Sequence, residues 1–100
     1  DPRPTGLFIP ADEYTLTVYG LLFSIGIRPG VDLDIISCNN DMAIVRGLHP
    51  RPANIDIHTR WIGTAGVTQL LERLQSPDMP RNVRRFEPTL IPAEYPWPHP

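Results

Sequence analysis

The sequence predicts an α/β domain in which helices are layered on a largely parallel sheet. Short apolar runs alternate with long helical patterns along the chain, the order that places helices against strands. The run Leu33-Asp34-Ile35-Ile36-Ser37-Cys38, four of its six residues apolar, has the look of a buried parallel strand. At 100 residues the chain makes one domain, and folding would bury roughly 60–65% of its unfolded surface.

The elements follow in order. A strand is expected over 6–10, and a helix begins at Asp12, which can cap it. No charged residue occurs from Tyr14 to Ile27, and Gly26 can close this helix in the left-handed conformation. At 100° per residue, Tyr14, Val18, Leu21, Leu22 and Ile25 form one apolar stripe, while Leu16, Tyr19, Gly20 and Phe23 form a second. One stripe packs on the sheet, and the other is a candidate partner surface. The return loop through Gly30 is too long for a hairpin, so strands 6–10 and 33–38 are expected to be parallel neighbours. A helical turn is expected within 41–48, then an extended connection through Pro50 and Pro52 and a strand over 54–58. The second long helix, 61–75, carries Gly63, Val67, Leu70, Leu71 and Leu74 on one face and ends at Ser76-Pro77. A last strand is expected over 85–91. The two proline-rich ends, including a tail over 96–100, read as poorly packed.

Composition excludes several functions. The net charge is −2, and the nine positive residues, all arginine, scatter without forming the basic stripe that nucleic acid requires. No apolar run approaches membrane-spanning length, and the single cysteine, Cys38, allows no internal disulfide. A nucleophilic site could be assembled from Cys38, His49 or His58, and Asp41 or Asp56, yet most chains of this size offer such a set. The histidines at 49, 58 and 99 lack zinc-site spacing, and neither phosphate-loop motif occurs. Catalytic residues, metal ligands and cofactors are therefore not assigned. Stronger candidates stand at the carboxyl ends of the parallel strands, where ligands bind in open sheets: Asp12 after the first strand and Asn39-Asn40-Asp41 after the second. Helix capping and turn chemistry are the simpler roles for the same residues.

Taken together, GLFIPADEYTLTVYGLLFSIGIRPGVDLDIISCNND, HPRPANIDIHTRWIGTAGVTQLLERL and FEPTLIPAEY resemble the C-terminal part of the effector-binding core of LacI/GalR-type (lactose and galactose repressor) transcription regulators. The resemblance implies a fragment of a periplasmic-binding-protein-like (type I) α/β domain, a parallel-sheet sandwich, over residues 1–95. It implies no enzyme but a cytoplasmic homodimeric regulator with a sugar-like small-molecule effector, binding operator DNA through an N-terminal domain outside this chain, with no membrane partner. On this resemblance the effector contacts fall on Asp12, Asn39, Asn40 and His58, and the dimer interface on Leu16, Tyr19, Gly20, Phe23 and Leu48. Two departures matter: the family's asparagine at the first strand end is Ala11, and its effector-binding aspartate is Asn39, which removes a charge. A sugar-binding protein of an uptake system shares the fold, but such proteins are usually monomeric, and the second apolar stripe argues against that reading. A free-standing small α/β module is the third alternative.

Overall fold

The computed structural model describes residues 3–96. The elements are β1 (Gly6–Phe8), α1 (Asp12–Ser24), β2 (Asp34–Cys38), α2 (Met42–Val45), β3 (Ala53–Asp56), α3 (Thr59–Gln75) and β4 (Thr89–Ile91). Their order is the expected one, with strands shorter by one to four residues. The sheet order is β1-β2-β3-β4. β1, β2 and β3 are parallel, with Leu7 beside Ile35 and Ser37 beside Asn54, as the βαβ order requires. β4 runs antiparallel to β3, with Leu90 beside Ile55, a common addition at the edge of a parallel sheet. The tail beyond Pro96 lies outside the described residues.

Helix α1 ends as the glycine signal predicts. Gly26 has φ +77°, and the amides of Ile27 and Gly26 donate to the carbonyls of Leu22 and Phe23, closing a Schellman turn. Its buried face departs from the expectation. Asp12, Thr15 and Tyr19 turn inward with Val18 and Leu22, whereas Tyr14, Leu21 and Ile25 are exposed. Five hydrogen bonds to other elements draw Asp12, Thr15 and Tyr19 inward, and apolar periodicity alone could not register that pull. Tyr19 and Leu48, expected at a dimer interface, instead join Ile9 and Ile35 in the core. The Tyr19 hydroxyl donates to the Pro50 carbonyl at 2.7 Å, so the ring packs inward while its polar tip stays satisfied.

The second helix behaves differently. Ala65 is its single buried residue, and Val67, Leu70, Leu71 and Leu74 are each more than half exposed. The expected one-sided helix therefore has an apolar face with no cover among the described residues. The molecule is 59 × 24 × 24 Å with a radius of gyration of 18.1 Å. A compact chain of this length would have about 13 Å, and the excess reflects α3 standing away from the sheet. Arg73 donates to the carbonyls of Met79 and Pro80, folding the following segment back along the helix.

Two loops fix β2. Arg28 and Asp32 pair across a solvent-exposed turn, and the guanidinium holds the Asp32 carboxyl below its ordinary range. Tyr95 packs against Gly30, where an added Cβ would meet the ring at 2.7 Å, and its hydroxyl accepts from the Ile35 amide at 3.1 Å. The C-terminal segment is thus anchored at Tyr95, the last residue of the expected core.

Tyr19→Phe is expected to cost about 1 kcal/mol, because the Pro50 carbonyl loses its donor. Burial, with smaller contributions from Tyr95 and Glu94, raises the Tyr19 phenol well above its ordinary 10.0. The folded chain thus keeps a proton that the unfolded chain releases. Its stability contribution is fully present below pH 10 and is lost as pH rises above it. Urea melts at about pH 8 and about pH 11 should show a smaller alkaline loss in Tyr19→Phe than in the wild type. The raised Tyr95 phenol accounts for a remainder.

Candidate functional site at the carboxyl edge of the sheet

The site is built on a buried polar chain that crosses three elements. Asp12, at the first turn of α1, is 1% exposed. Its Oδ1 accepts from Ser37 Oγ of β2 and from Asn54 Nδ2 of β3 at 2.8 Å, and its Oδ2 accepts from the Asp41 amide at 2.6 Å. Ser37 donates its hydroxyl proton to Asp12, so Thr15 Oγ1, 2.6 Å away, donates to Ser37. Asn54 Oδ1 in turn accepts from the Asn40 amide at 2.9 Å, and Asn40 Nδ2 donates to Asp56 Oδ2 at 3.2 Å. Asp56 Oδ1 accepts from the His58 amide at 2.8 Å.

This chain holds an unusual backbone. Asn39, Asn40 and His58 have φ of +99°, +52° and +58° and are the non-glycine residues with positive φ among the described residues. Asparagine tolerates this region better than most residues, and such strain persists only where surrounding bonds impose it. All three lie where β2 and β3 end. Asn39 keeps one backbone bond, to the Ile55 carbonyl, and no hydrogen bond reaches its side chain among the described residues. Asn39, Asn40, Asp41, Met42, Ile57 and Thr59 line an open depression of about 490 Å³. A more apolar hollow of about 330 Å³, bordered by Leu7, Ile27 and Leu33, lies at the opposite end of the strands, away from the polar cluster.

The four residues expected to meet an effector therefore separate. Asn39 and Asn40 line the depression, although the Asn40 amide group is already engaged with Asp56. Asp12 does not reach the surface: it is neither the helix cap, a position taken by Ala11, nor a ligand group, because its carboxylate is filled by three donors from the chain itself. The His58 ring also turns away. It stacks on Trp61 at 3.9 Å and 9°, and its Nε2 lies 2.9 Å from Thr89 Oγ1, while its chain neighbours Ile57 and Thr59 face the depression. Of the expected interface residues, Leu16, Gly20 and Phe23 are exposed.

Sequence reasoning missed Thr15, Ser37 and Asn54. The available signal was a polar residue within an otherwise apolar strand, which must find a partner if the strand is buried. No group of His, Cys, Asp and Glu residues able to hold a metal occurs among the described residues, and no helix there is long and apolar enough to cross a membrane.

A parallel three-strand core with α1 packed against it and polar turns at its carboxyl edge defines an open α/β domain of the periplasmic-binding type. The chain belongs to the periplasmic binding protein-like domain family, whose profile matches residues 1–94. Among solved structures it is similar to the transcriptional regulator CelR in complex with cellobiose, with a TM-score of 0.79 and 18% identity over 92% of this chain and 28% of that one. It is also similar to the Lac repressor bound to ONPG in the repressed state, with a TM-score of 0.77 and 19% identity over 90% of this chain and 27% of that one. The chain thus spans a little over a quarter of the length of either. Curated protein sequences give no match.

His58→Ala is expected to cost about 1–2 kcal/mol through loss of the ring stack and the Thr89 bond. Amide exchange should accelerate at 89–91 more than in β2, which would locate the loss at the β4 side of the crossover.

Proposed function

We propose that this chain is the C-terminal part of the effector-binding and dimerisation core of a LacI/GalR-like transcription regulator, a non-catalytic protein acting in the cytoplasm. In this reading it supplies one wall of a cleft for a sugar-like small molecule. The observation that carries it is the placement of Asn39 at the rim of a polar depression, its amide unengaged, where the parallel strands end. The fold likeness to a regulator solved with cellobiose and a repressor solved with ONPG supports it. A free amide offers one acceptor and two donors, which suits a hydroxyl-bearing, uncharged ligand better than an anion, given Asp41 and Asp56 nearby. Operator binding belongs to a domain outside this chain.

Asn39→Gly tests the site cleanly, since glycine accepts φ +99° and removes only the amide. Calorimetric titration of the full-length regulator with cellobiose and a panel of neutral saccharides should show affinity for one of them falling about ten-fold or more in the variant. Unchanged binding would remove Asn39 from the site.

The exposed stripe Leu16, Gly20 and Phe23 supports a homodimer rather than a monomeric uptake protein. Phe23 lies edge-on to the buried Tyr19 ring at 6.1 Å, so it stands on a fixed base. Burying one such side chain contributes roughly 1.5–3 kcal/mol, and Phe23→Asp should shift sedimentation equilibrium toward monomer without altering the sheet. A variant that dimerises like the wild type would show that the stripe has another role.

A further inference from the structure

We propose that Asp12 and Asn54 form a polarity-coded lock that sets the Asn39–Asp41 turn, making Asp12 a positioning residue for Asn39 rather than a ligand contact. What Asn39 touches rests on the effector-site reading above; the lock itself does not. Two consecutive turn amides are each held by one member of the pair, Asn40 by Asn54 Oδ1 and Asp41 by Asp12 Oδ2. The remaining atoms of the pair face one another, Asn54 Nδ2 donating to Asp12 Oδ1. Both residues are 1% exposed, so water offers no substitute partner. The direction of that central bond determines everything above it. Because Asp12 accepts on both oxygens, Asn54 must point its amide nitrogen down and its oxygen up, and only that orientation presents an acceptor to Asn40. Backbone bonding alone would not favour positive φ at two successive asparagines, and the two side-chain acceptors impose it.

The lock predicts a specific pattern of failure and repair. In Asp12→Asn, an amide that accepts from Asp41 turns its nitrogen toward Asn54, which must flip and withdraw its acceptor from Asn40. In Asn54→Asp, two carboxylates meet across the central bond. The exchanged pair Asp12→Asn with Asn54→Asp restores every donor to an acceptor: the new Asn at 12 accepts from Asp41 and donates to the new Asp at 54, which accepts from Asn40, while the Ser37 hydroxyl accepts the second amide hydrogen and turns to donate to Thr15 Oγ1, which donates to the Ala11 carbonyl. A role in packing alone would not be repaired by the swap, because all four chains keep nearly the same volume and shape.

Amide exchange of Asn40 and Asp41, read by NMR in the wild-type chain and the three variants, tests this with no ligand present. Asp12→Asn should accelerate the Asn40 amide about ten-fold or more, and Asn54→Asp, which sets two carboxylates against each other, both the Asn40 and Asp41 amides, with β2 amides such as Ile36 unchanged; the swap should restore them to within about three-fold. Unaltered exchange in the singles, or a folded swap that stays fast, would overturn the lock. Should the singles unfold, the wild type still decides: a scalar coupling across the hydrogen bond from the Asp41 amide to the Asp12 carboxyl carbon is expected, and its absence would overturn the proposal. Failure of the saccharide titration leaves these readings untouched, so the two ideas fall separately.

Discussion

A carboxylate removed from water destabilises a fold unless its oxygens are filled, and Asp12 is removed almost entirely. No arginine compensates it among the described residues; a serine hydroxyl, an asparagine amide and a backbone amide do. These three donors come from β2, β3 and the turn after β2, so satisfying one side chain of α1 fixes the helix against two strands and a loop at once. The geometry leaves little latitude, since moving any partner by about 1 Å would break a bond. Parallel pairing supplies the necessary register by bringing Ser37 beside Asn54, with α1 arriving over both. In that sense the apolar core holds α1 near the sheet, and Asp12 determines where it sits.

The turn above inherits this constraint. Asn39 and Asn40 take positive φ, and the residues best suited to that conformation after glycine are found there. Had glycine occupied 39, the same backbone would form without a side chain to offer a ligand. Asparagine combines a tolerated left-handed backbone with a half-buried amide that no hydrogen bond engages among the described residues. His58 meets the same backbone demand at the end of β3, but its ring serves a different purpose, clasping Trp61 and Thr89 where the chain crosses from β3 to α3 and returns as β4.

Much of this was legible beforehand. Strand, helix, strand order with the Gly26 stop was enough to place β1 beside β2 in parallel, and the Asn39–Asn40–Asp41 cluster was correctly put at a strand end. The misplacements share a physical cause. Periodicity puts Tyr19 on the outward stripe because it counts side chains without knowing which neighbours they meet, and the phenol's partner, Pro50, is 31 residues away; Leu48 is placed at the interface by the family resemblance alone, which carries no information on its packing here. Asp12 was assigned to a ligand because a short acid after a strand usually points to the cleft. Its true partners, Ser37 and Asn54, lie 25 and 42 residues on, and such pairing emerges only from register. The packing of the Tyr95 ring on Gly30, 65 residues earlier, is likewise a contact that only the folded register reveals.

The polar and apolar halves of the structure differ in how far they close on themselves. Every member of the Asp12 network finds its partner within the chain, so the turn can be held without outside help. The apolar side is open: Leu70, Leu71 and Leu74 on α3, Leu16 and Phe23 on α1, and Phe8 and Leu90 on opposite edges of the sheet are all more than half exposed. Each such side chain forgoes roughly 1.5–3 kcal/mol of burial. A sequence selected for a lone helix facing water would carry polar residues there, as α3 does at Thr68, Gln69, Glu72 and Arg73. The one-sided pattern of α3 thus leaves an apolar face without cover among the described residues. The polar turn and the open apolar faces rest on different physics: hydrogen bonding of fixed direction holds the turn, and non-directional burial is left incomplete on the helix faces.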